Sequence, residues 1–125
     1  MKVLDSSFLV SFYLEKDSNT SKAKERMVVE EETQLILPEN ILHETLTVLS
    51  CRQDIALAKQ AYLELTQNQK IRIYHFTPRE TQEVLDLFFA LGRKLSVPDA
   101  GVIYLAKRLD AGVLAFDEEI VRQSE

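Results

Sequence analysis

Short apolar runs alternate along the chain with longer segments in which apolar and polar residues share a helical period. The apolar runs have the length of strands and cover residues 3–4, 35–37 and 113–116, and residues 71–76 also suit a strand. Between them, apolar residues recur at the spacing of amphipathic helices. The predicted helices span residues 8–14, 22–32, 39–51, the segment between Asp54 and Gln67, residues 78 to about 95, and residues 98–109.

The clearest helix start lies after the third predicted strand. Thr77 and Glu80 have the spacing of a capping box, and Pro78 suits the first helical position. Strands that alternate with helices predict a parallel sheet, and unbroken apolar strands predict that both sheet faces are covered. We therefore expect one α/β domain over residues 1–125, a three-layer α/β/α sandwich around a mainly parallel sheet of about four strands.

The composition is that of a soluble globular protein, because 46% of the residues are hydrophobic and 28% are charged. The single cysteine, Cys51, excludes an intramolecular disulfide and is expected to be a small buried residue. Residues 5–7 interrupt the apolar start before it reaches signal-peptide length, and no run approaches the roughly 20 apolar residues of a membrane span. We expect a cytoplasmic protein without membrane contact.

Two acidic residues directly follow predicted strands. Asp5 comes after the first strand and Asp117 after the last. Ligands of open α/β sheets gather at the carboxyl ends of the parallel strands, so both carboxylates should emerge at one edge.

Two further acids lie on the apolar faces of predicted helices. Asp99 shares a face with Val102, Ile103 and Ala106, and Glu44 lies at the edge of an apolar arc. The residues of that arc are Ile41, Leu42, Leu46 and Leu49. Both acids are therefore expected to be partly buried.

Partly buried carboxylates are costly unless they are paired, hydrogen-bonded or bound to a cation. The two stripes contain no Lys or Arg, and oxygen ligands without His or Cys favour Mg²⁺ or Mn²⁺ over zinc. Ordinary structural interpretations exist as well: Asp5 and Asp99 could be helix caps, Glu44 a boundary residue and Asp117 a turn residue. The four acids in this order on this topology favour a metal site.

In the order and spacing of its motifs the chain resembles the PIN domain family, especially VapC-like toxin ribonucleases. The motifs are residues 3–7, Leu37-Pro38 followed by Glu44, residues 95–100 and residues 113–117. The resemblance implies a Mg²⁺- or Mn²⁺-dependent endoribonuclease, the toxin of a toxin–antitoxin pair, in which Asp5, Glu44, Asp99 and Asp117 are catalytic and bind the metal. It also implies that Ser6 orders a water molecule there, that the protein forms a homodimer, and that an antitoxin segment lies across the groove.

One departure from the family pattern supports an alternative. Ala115 stands where many relatives carry Ser or Thr two residues before the last acid, so a hydroxyl contact is missing. The alternative is a weakly active or inactive PIN-fold module that binds nucleic acid or a protein partner. A phosphoacceptor domain of receiver type fits less well, because the sequence has neither its adjacent acidic pair after the first strand nor its lysine after a late strand.

The charge balance limits how RNA could bind. A net charge of −5 opposes general attraction of nucleic acid, unless bound cations reverse the sign at the acids. Two basic groups could line a path for RNA phosphates, although charged helix faces are more often simply solvated. The first group is Lys22, Lys24 and Arg26, and the second is Arg93, Lys94, Lys107 and Arg108.

A wide apolar arc marks the predicted helix that starts at Pro78. Its residues are Val84, Leu85, Leu87, Phe88, Phe89, Leu91 and Leu95. Burial against a partner would explain the pattern, with Phe8, Phe12 and Tyr13 joining that surface. A thicker intramolecular core would explain it equally well.

Overall fold

The computed structural model describes residues 1–14, 19–29, 33–92 and 95–125. Within these ranges strands and helices alternate as the apolar pattern predicts. The strands are β1 (Lys2–Leu4), β2 (Leu35–Pro38), β3 (Ile71–Tyr74) and β4 (Gly112–Leu114). The helices are α1 (Ser6–Tyr13), α2 (Thr20–Val29), α3 (Glu39–Arg52), α4 (Ile55–Gln67), α5 (Pro78–Leu91), α6 (Val97–Leu109) and α7 (Glu118–Ser124).

The four strands form one parallel sheet in the order β3-β2-β1-β4. The connections β1 to β2 and β2 to β3 step one way across the sheet, whereas the connection β3 to β4 returns to the opposite edge. Because crossovers between parallel strands are right-handed, these two directions place their helices on opposite faces. Helices α1 to α4 pack with one another, and α5, α6 and α7 form the other group. The predicted three-layer α/β/α architecture is confirmed.

The core lies on both faces of the short strands. Every residue of β2 is buried, as are Val3, Leu4 and Leu114 in the two neighbouring strands. On α6, the stripe of Val102, Ile103 and Ala106 is also buried. This explains why β2 is an unbroken apolar run, whereas the edge strand β3 contains the exposed Arg72.

Some predicted boundaries were wrong. Helix α5 ends at Leu91 instead of near Leu95, because Gly92 adopts a left-handed conformation with φ of 54° and closes the helix. Leu95 is buried, so in the sequence it has the apolar character of the helical stripe, but it lies outside the helix. Helix α7 was not predicted, and strands β3 and β4 end before the predicted residues 76 and 116. The predicted end of the second helix at residues 30–32 lies outside the described ranges.

One burial prediction was also wrong, and one open alternative is decided for Phe8. Cys51 is exposed, because it lies on the outer side of the last turn of α3. Phe8 is fully buried in the core, so it cannot belong to a partner surface. The apolar arc of α5 is covered only in part within the described part of the chain: Val84 and Leu95 are buried and Leu87 and Leu91 pack against the core, whereas Phe89 is 74% exposed. None of the helices in the described ranges has the length and apolar character needed to cross a bilayer.

Candidate active site

Asp5 lies between the central strand and the first helix. It caps α1, and its Oδ2 accepts hydrogen bonds from the backbone N–H of Ser7 at 3.1 Å and from Ser7 Oγ at 2.6 Å. Ser7 Oγ in turn accepts from the backbone N–H of Phe116 at 2.9 Å, and Asp5 N–H donates to the carbonyl of Leu114 at 3.0 Å. The carboxylate is therefore fixed to both β1 and the segment that follows β4.

Asp5 is almost completely removed from solvent, with 1% of its surface exposed. Its Oδ1 is buried and has no hydrogen-bond partner within the described part of the chain. Burial raises the pKa of Asp5 from 3.8 to about 6; the bonds from Ser7 oppose this rise, and the nearby charge of Asp99 adds to it. The bonds from Ser7 thus compensate only part of the hydration that the ionised carboxylate has lost, and Oδ1 has no such compensation among the described residues.

Asp99 and Asp117 also lie at helix starts. Asp99 is the third residue of α6, and its Oδ2 accepts from the backbone N–H of Ser96 at 3.0 Å in a capping box. Asp117 caps α7, with Oδ1 accepting from the backbone N–H groups of Glu119 at 3.0 Å and Ile120 at 3.4 Å. The capping interpretation is therefore correct, and it leaves a second oxygen on each carboxylate for other contacts.

A cleft of about 360 Å³ opens where these helix starts meet at the carboxyl ends of β1 and β4. Asp5, Asp99 and Asp117 line it together with Ser6. This is the switch point of the sheet, since the connections at β1 and β4 lead to opposite faces. A second opening of about 550 Å³, bordered by Lys2 and Lys107, lies at the other end of these strands and gathers no comparable set of acids.

Glu44 is placed differently from the other three acids. It is half-buried on α3, and its Oε2 is buried without a hydrogen-bond partner in the described part of the chain. Glu44 is not among the residues that line the cleft. It lies between Asn40, whose side chain packs near Gly101 of α6, and Arg52, which does line the cleft.

The acids share a region without forming a ready-made metal cage. In the ranges that the structure describes, no three Asp, Glu, His or Cys side chains lie close enough together to hold one ion. Like charges repel, and the charge of Asp99 already raises the pKa of Asp5. The donor set nevertheless fits a hard divalent cation, because all four ligand candidates are carboxylates and the buried oxygens of Asp5 and Glu44 lack partners among the described residues.

Comparisons with known proteins identify the family and the fold of the chain. A family model described as the PIN domain matches residues 2–125. The chain belongs to the PIN domain family. Its fold is similar to the crystal structure of VapC20 from Mycobacterium tuberculosis, described as a toxin that cleaves the sarcin-ricin loop. The TM-score is 0.87 and the identity 20%, with 96% of this chain and 92% of that chain covered. No curated protein matches the chain by sequence.

Two polar residues of this PIN domain were missed by sequence reasoning. Ser7, not only Ser6, borders the cleft and joins Asp5 to Phe116. The Asp-Ser-Ser turn gave no way to distinguish the two serines. Arg52 lines the cleft from the last turn of α3. Extending the helical projection eight residues beyond Glu44 would have placed it about 80° from that acid, on the same side of the helix.

The two predicted basic groups of this PIN domain differ in their relation to the cleft. Arg26 lies over the ring of Phe116, 6.0 Å from its centroid, and Phe116 lines the cleft. Arg108 instead donates to Tyr104 at 2.6 Å and forms ion pairs of 3.7 Å with Glu80 and Glu83. Lys107 borders the other opening, and Arg93 and Lys94 lie outside the described residues.

Proposed function

We propose that this PIN domain is a Mg²⁺- or Mn²⁺-dependent endoribonuclease that hydrolyses RNA phosphodiester bonds, and that it is the toxin of a toxin–antitoxin pair. The observation that carries the proposal is the cleft at the carboxyl ends of β1 and β4, where Asp5, Asp99 and Asp117 meet. Membership of the PIN family and the fold likeness to VapC20, a toxin that cleaves the sarcin-ricin loop, support the same activity.

The residues that would hold the metal are Asp5, Asp99, Asp117 and Glu44. Their fit rests on oxygen chemistry and on the buried oxygens of Asp5 and Glu44 that lack partners within the described ranges. When bound, such an ion supplies activation of water and neutralisation of charge on the attacked phosphate. For Glu44, joining the other three requires its side chain to turn toward the cleft.

The chain's own groups keep the acids in position. Ser7 holds Oδ2 of Asp5 and thereby leaves Oδ1 to face other ligands. The capping bonds of Asp99 and Asp117 restrict their rotation in the same way. Ser6 lies in the cleft beside Asp5, where its hydroxyl can hydrogen-bond a water molecule. Burial of Asp5 excludes bulk water from the floor of the cleft.

The direct test is cleavage of RNA by purified protein, with and without Mg²⁺ or Mn²⁺. Asp99→Asn keeps an oxygen that can accept from Ser96 but removes the charge, and it is expected to abolish metal-dependent cleavage. Asp110→Asn is the matched control, because Asp110 is exposed, lies outside the cleft and has a φ of 51° that Asn tolerates. Equal cleavage by wild type and Asp99→Asn would exclude the proposal.

A second candidate is a PIN-fold module that binds nucleic acid or a protein without turnover. Its support is Ala115, which carries no hydroxyl, and the absence of three clustered ligands within the described residues. Isothermal titration with Mn²⁺ separates the candidates. The nuclease is expected to show binding heat that Asp99→Asn reduces, whereas the module is expected to show none that depends on a carboxylate.

We further propose that the protein is cytoplasmic, forms a homodimer and is inhibited by an antitoxin. A homodimer is supported by the apolar surface of α5, where Phe89 is 74% exposed and Leu85 and Phe88 are only half-buried. Light scattering after size-exclusion chromatography tests the homodimer, with Phe89→Ser as the perturbing variant. A protein that copurifies with the chain and suppresses RNA cleavage would identify the antitoxin.

A further inference from the structure

Arg52 is a cation in an acidic cleft, and its side chain has no acidic partner among the described residues. It is the last residue of α3, is exposed, and lines the cleft together with Asp5, Asp99 and Asp117. Within the described part of the chain it makes no ion pair or hydrogen bond. An arginine beside carboxylates usually forms paired charge-assisted hydrogen bonds, so a free guanidinium here remains available to an external anion.

A second arginine lies beside the same cleft on another element. Arg26 of α2 stacks over Phe116, and the backbone of Phe116 is fixed by its bond to Ser7. The planar guanidinium of an arginine can stack on an aromatic ring and still present N–H donors to a phosphate. Arg26 is exposed, which leaves those donors accessible.

Because the chain carries a net negative charge, RNA binding at this cleft requires cationic side chains beside it. With a net charge of −5 and three acids in the cleft, a polyanionic strand meets repulsion unless cations offset it. A metal ion would neutralise charge at the acids themselves but would not hold the neighbouring nucleotides. Of the basic side chains weighed above, Arg108 is committed to Glu80 and Glu83, and Lys107 borders the other opening.

We infer that Arg52 and Arg26 form a phosphate-binding rim, in which each contacts a backbone phosphate of an RNA strand that enters the cleft. The inference rests on the proposed function, because it names the groups that bind the substrate of that reaction. It assigns binding to two residues on separate elements, α3 and α2, neither of which forms an ion pair with another described residue.

The test measures binding separately from cleavage. In an Asp99→Asn background, which is expected to bind without cutting, the affinity for a fluorescent single-stranded RNA of mixed sequence is measured against salt concentration. Each lost phosphate contact lowers the slope of log affinity against log salt by about 0.7. Arg52→Gln and Arg26→Gln are each expected to show this loss, and the double variant about twice as much.

Two controls make the result specific. Arg79→Gln removes the same charge from a side chain that is 91% exposed and borders a different opening, so its slope should equal that of the parent. Arg52→Lys keeps the charge and should retain most of the slope. In the cleavage-competent protein, Arg52→Gln should raise KM more than it lowers kcat, because the contact serves binding.

The outcomes separate this inference from the proposed function. If wild type cleaves RNA while Arg52→Gln or Arg26→Gln has the same salt slope as Arg79→Gln, the two-arginine rim is wrong and the nuclease stands. If wild type neither binds nor cleaves RNA with Mg²⁺ or Mn²⁺, both fall together. Cleavage by wild type with reduced slopes in both variants supports the rim.

Discussion

The buried carboxylate of Asp5 should make the metal-free protein less stable as pH rises. Burial raises the pKa of Asp5 from 3.8 to about 6. Between these values the folded protein keeps a proton that the unfolded chain releases, so the free energy of unfolding falls with increasing pH. Above pH 6 the carboxylate is ionised in both states, and the full free-energy cost of burying its charge remains. A shift of roughly 2 units corresponds to about 3 kcal/mol at neutral pH.

Asp5→Asn removes this cost while keeping an oxygen that can accept from Ser7. In the presence of EDTA at pH 7.5, we expect the variant to be more stable than wild type by about 1–3 kcal/mol, with the lower values allowing for its buried amide group. The advantage should shrink as pH falls and approach zero near pH 3, below the unfolded pKa of 3.8, where the wild-type carboxyl is mainly protonated in both states. Urea unfolding followed by circular dichroism at several pH values measures it.

Adding Mg²⁺ or Mn²⁺ gives the complementary result. A cation that binds only the folded state should raise the stability of wild type, and it should leave Asp5→Asn nearly unchanged. Asp110→Asn, at an exposed position, should follow wild type throughout. If Asp5→Asn were less stable than wild type at pH 7.5 by an amount that did not vary with pH, the argument from the buried charge would be refuted.

Further predictions concern single groups at the site and in the scaffold. Ser7→Ala removes the hydroxyl that fixes Asp5 and should lower the rate of RNA cleavage at least tenfold, which is about 1.4 kcal/mol in the activation barrier. The control Ser50→Ala, on the surface of α3, should leave the rate unchanged. Unchanged cleavage in the Ser7 variant would count against this positioning role. Thr77→Ala removes a capping box and should lower the free energy of urea unfolding by about 1 kcal/mol without changing RNA cleavage. A drop in kcat would instead show that α5 affects the site. Gly92→Ala places a side chain at a φ of 54° and should lower the free energy of unfolding by about 1 kcal/mol, and Gly92→Asn should lower it by less. Equal unfolding midpoints for wild type and both variants would contradict the left-handed cap.

The layer architecture could be predicted from sequence because burial leaves a simple pattern. Strand β2 is buried at every position and therefore appears as an uninterrupted apolar run before Pro38. The capping box of Thr77 and Glu80 is local, and both of its bonds are present. Features of this kind depend on neighbours along the chain, which the sequence displays directly.

The failures involve contacts between distant segments. Leu95 extended the apolar stripe of α5 beyond Gly92, although its burial comes from packing outside that helix. Helix α7 was not predicted because it begins with two charged residues, Glu118 and Glu119, although Ile120 in the same short segment is buried.

Site prediction shows the same limit. Topology predicts that Asp5 and Asp117 share an edge, because each directly follows a parallel strand, and the apolar face of its helix directs Asp99 toward the core; all three line one cleft. The position of Glu44 outside the lining could not be predicted, since a helical projection gives the face of a residue and not its distance from other elements. Arg52 was missed because the projection was centred on the acids.

The double role of three acids affects how this chain could lose the proposed nuclease activity. Asp5 and Asp117 cap helices, and Asp99 closes a capping box, so stability alone would favour an acceptor side chain at each of these positions. A descendant under no selection for RNA cleavage would still tend to retain them. Glu44 has no capping duty, and its buried oxygen is without a hydrogen bond among the described residues, so evolutionary decay should begin there.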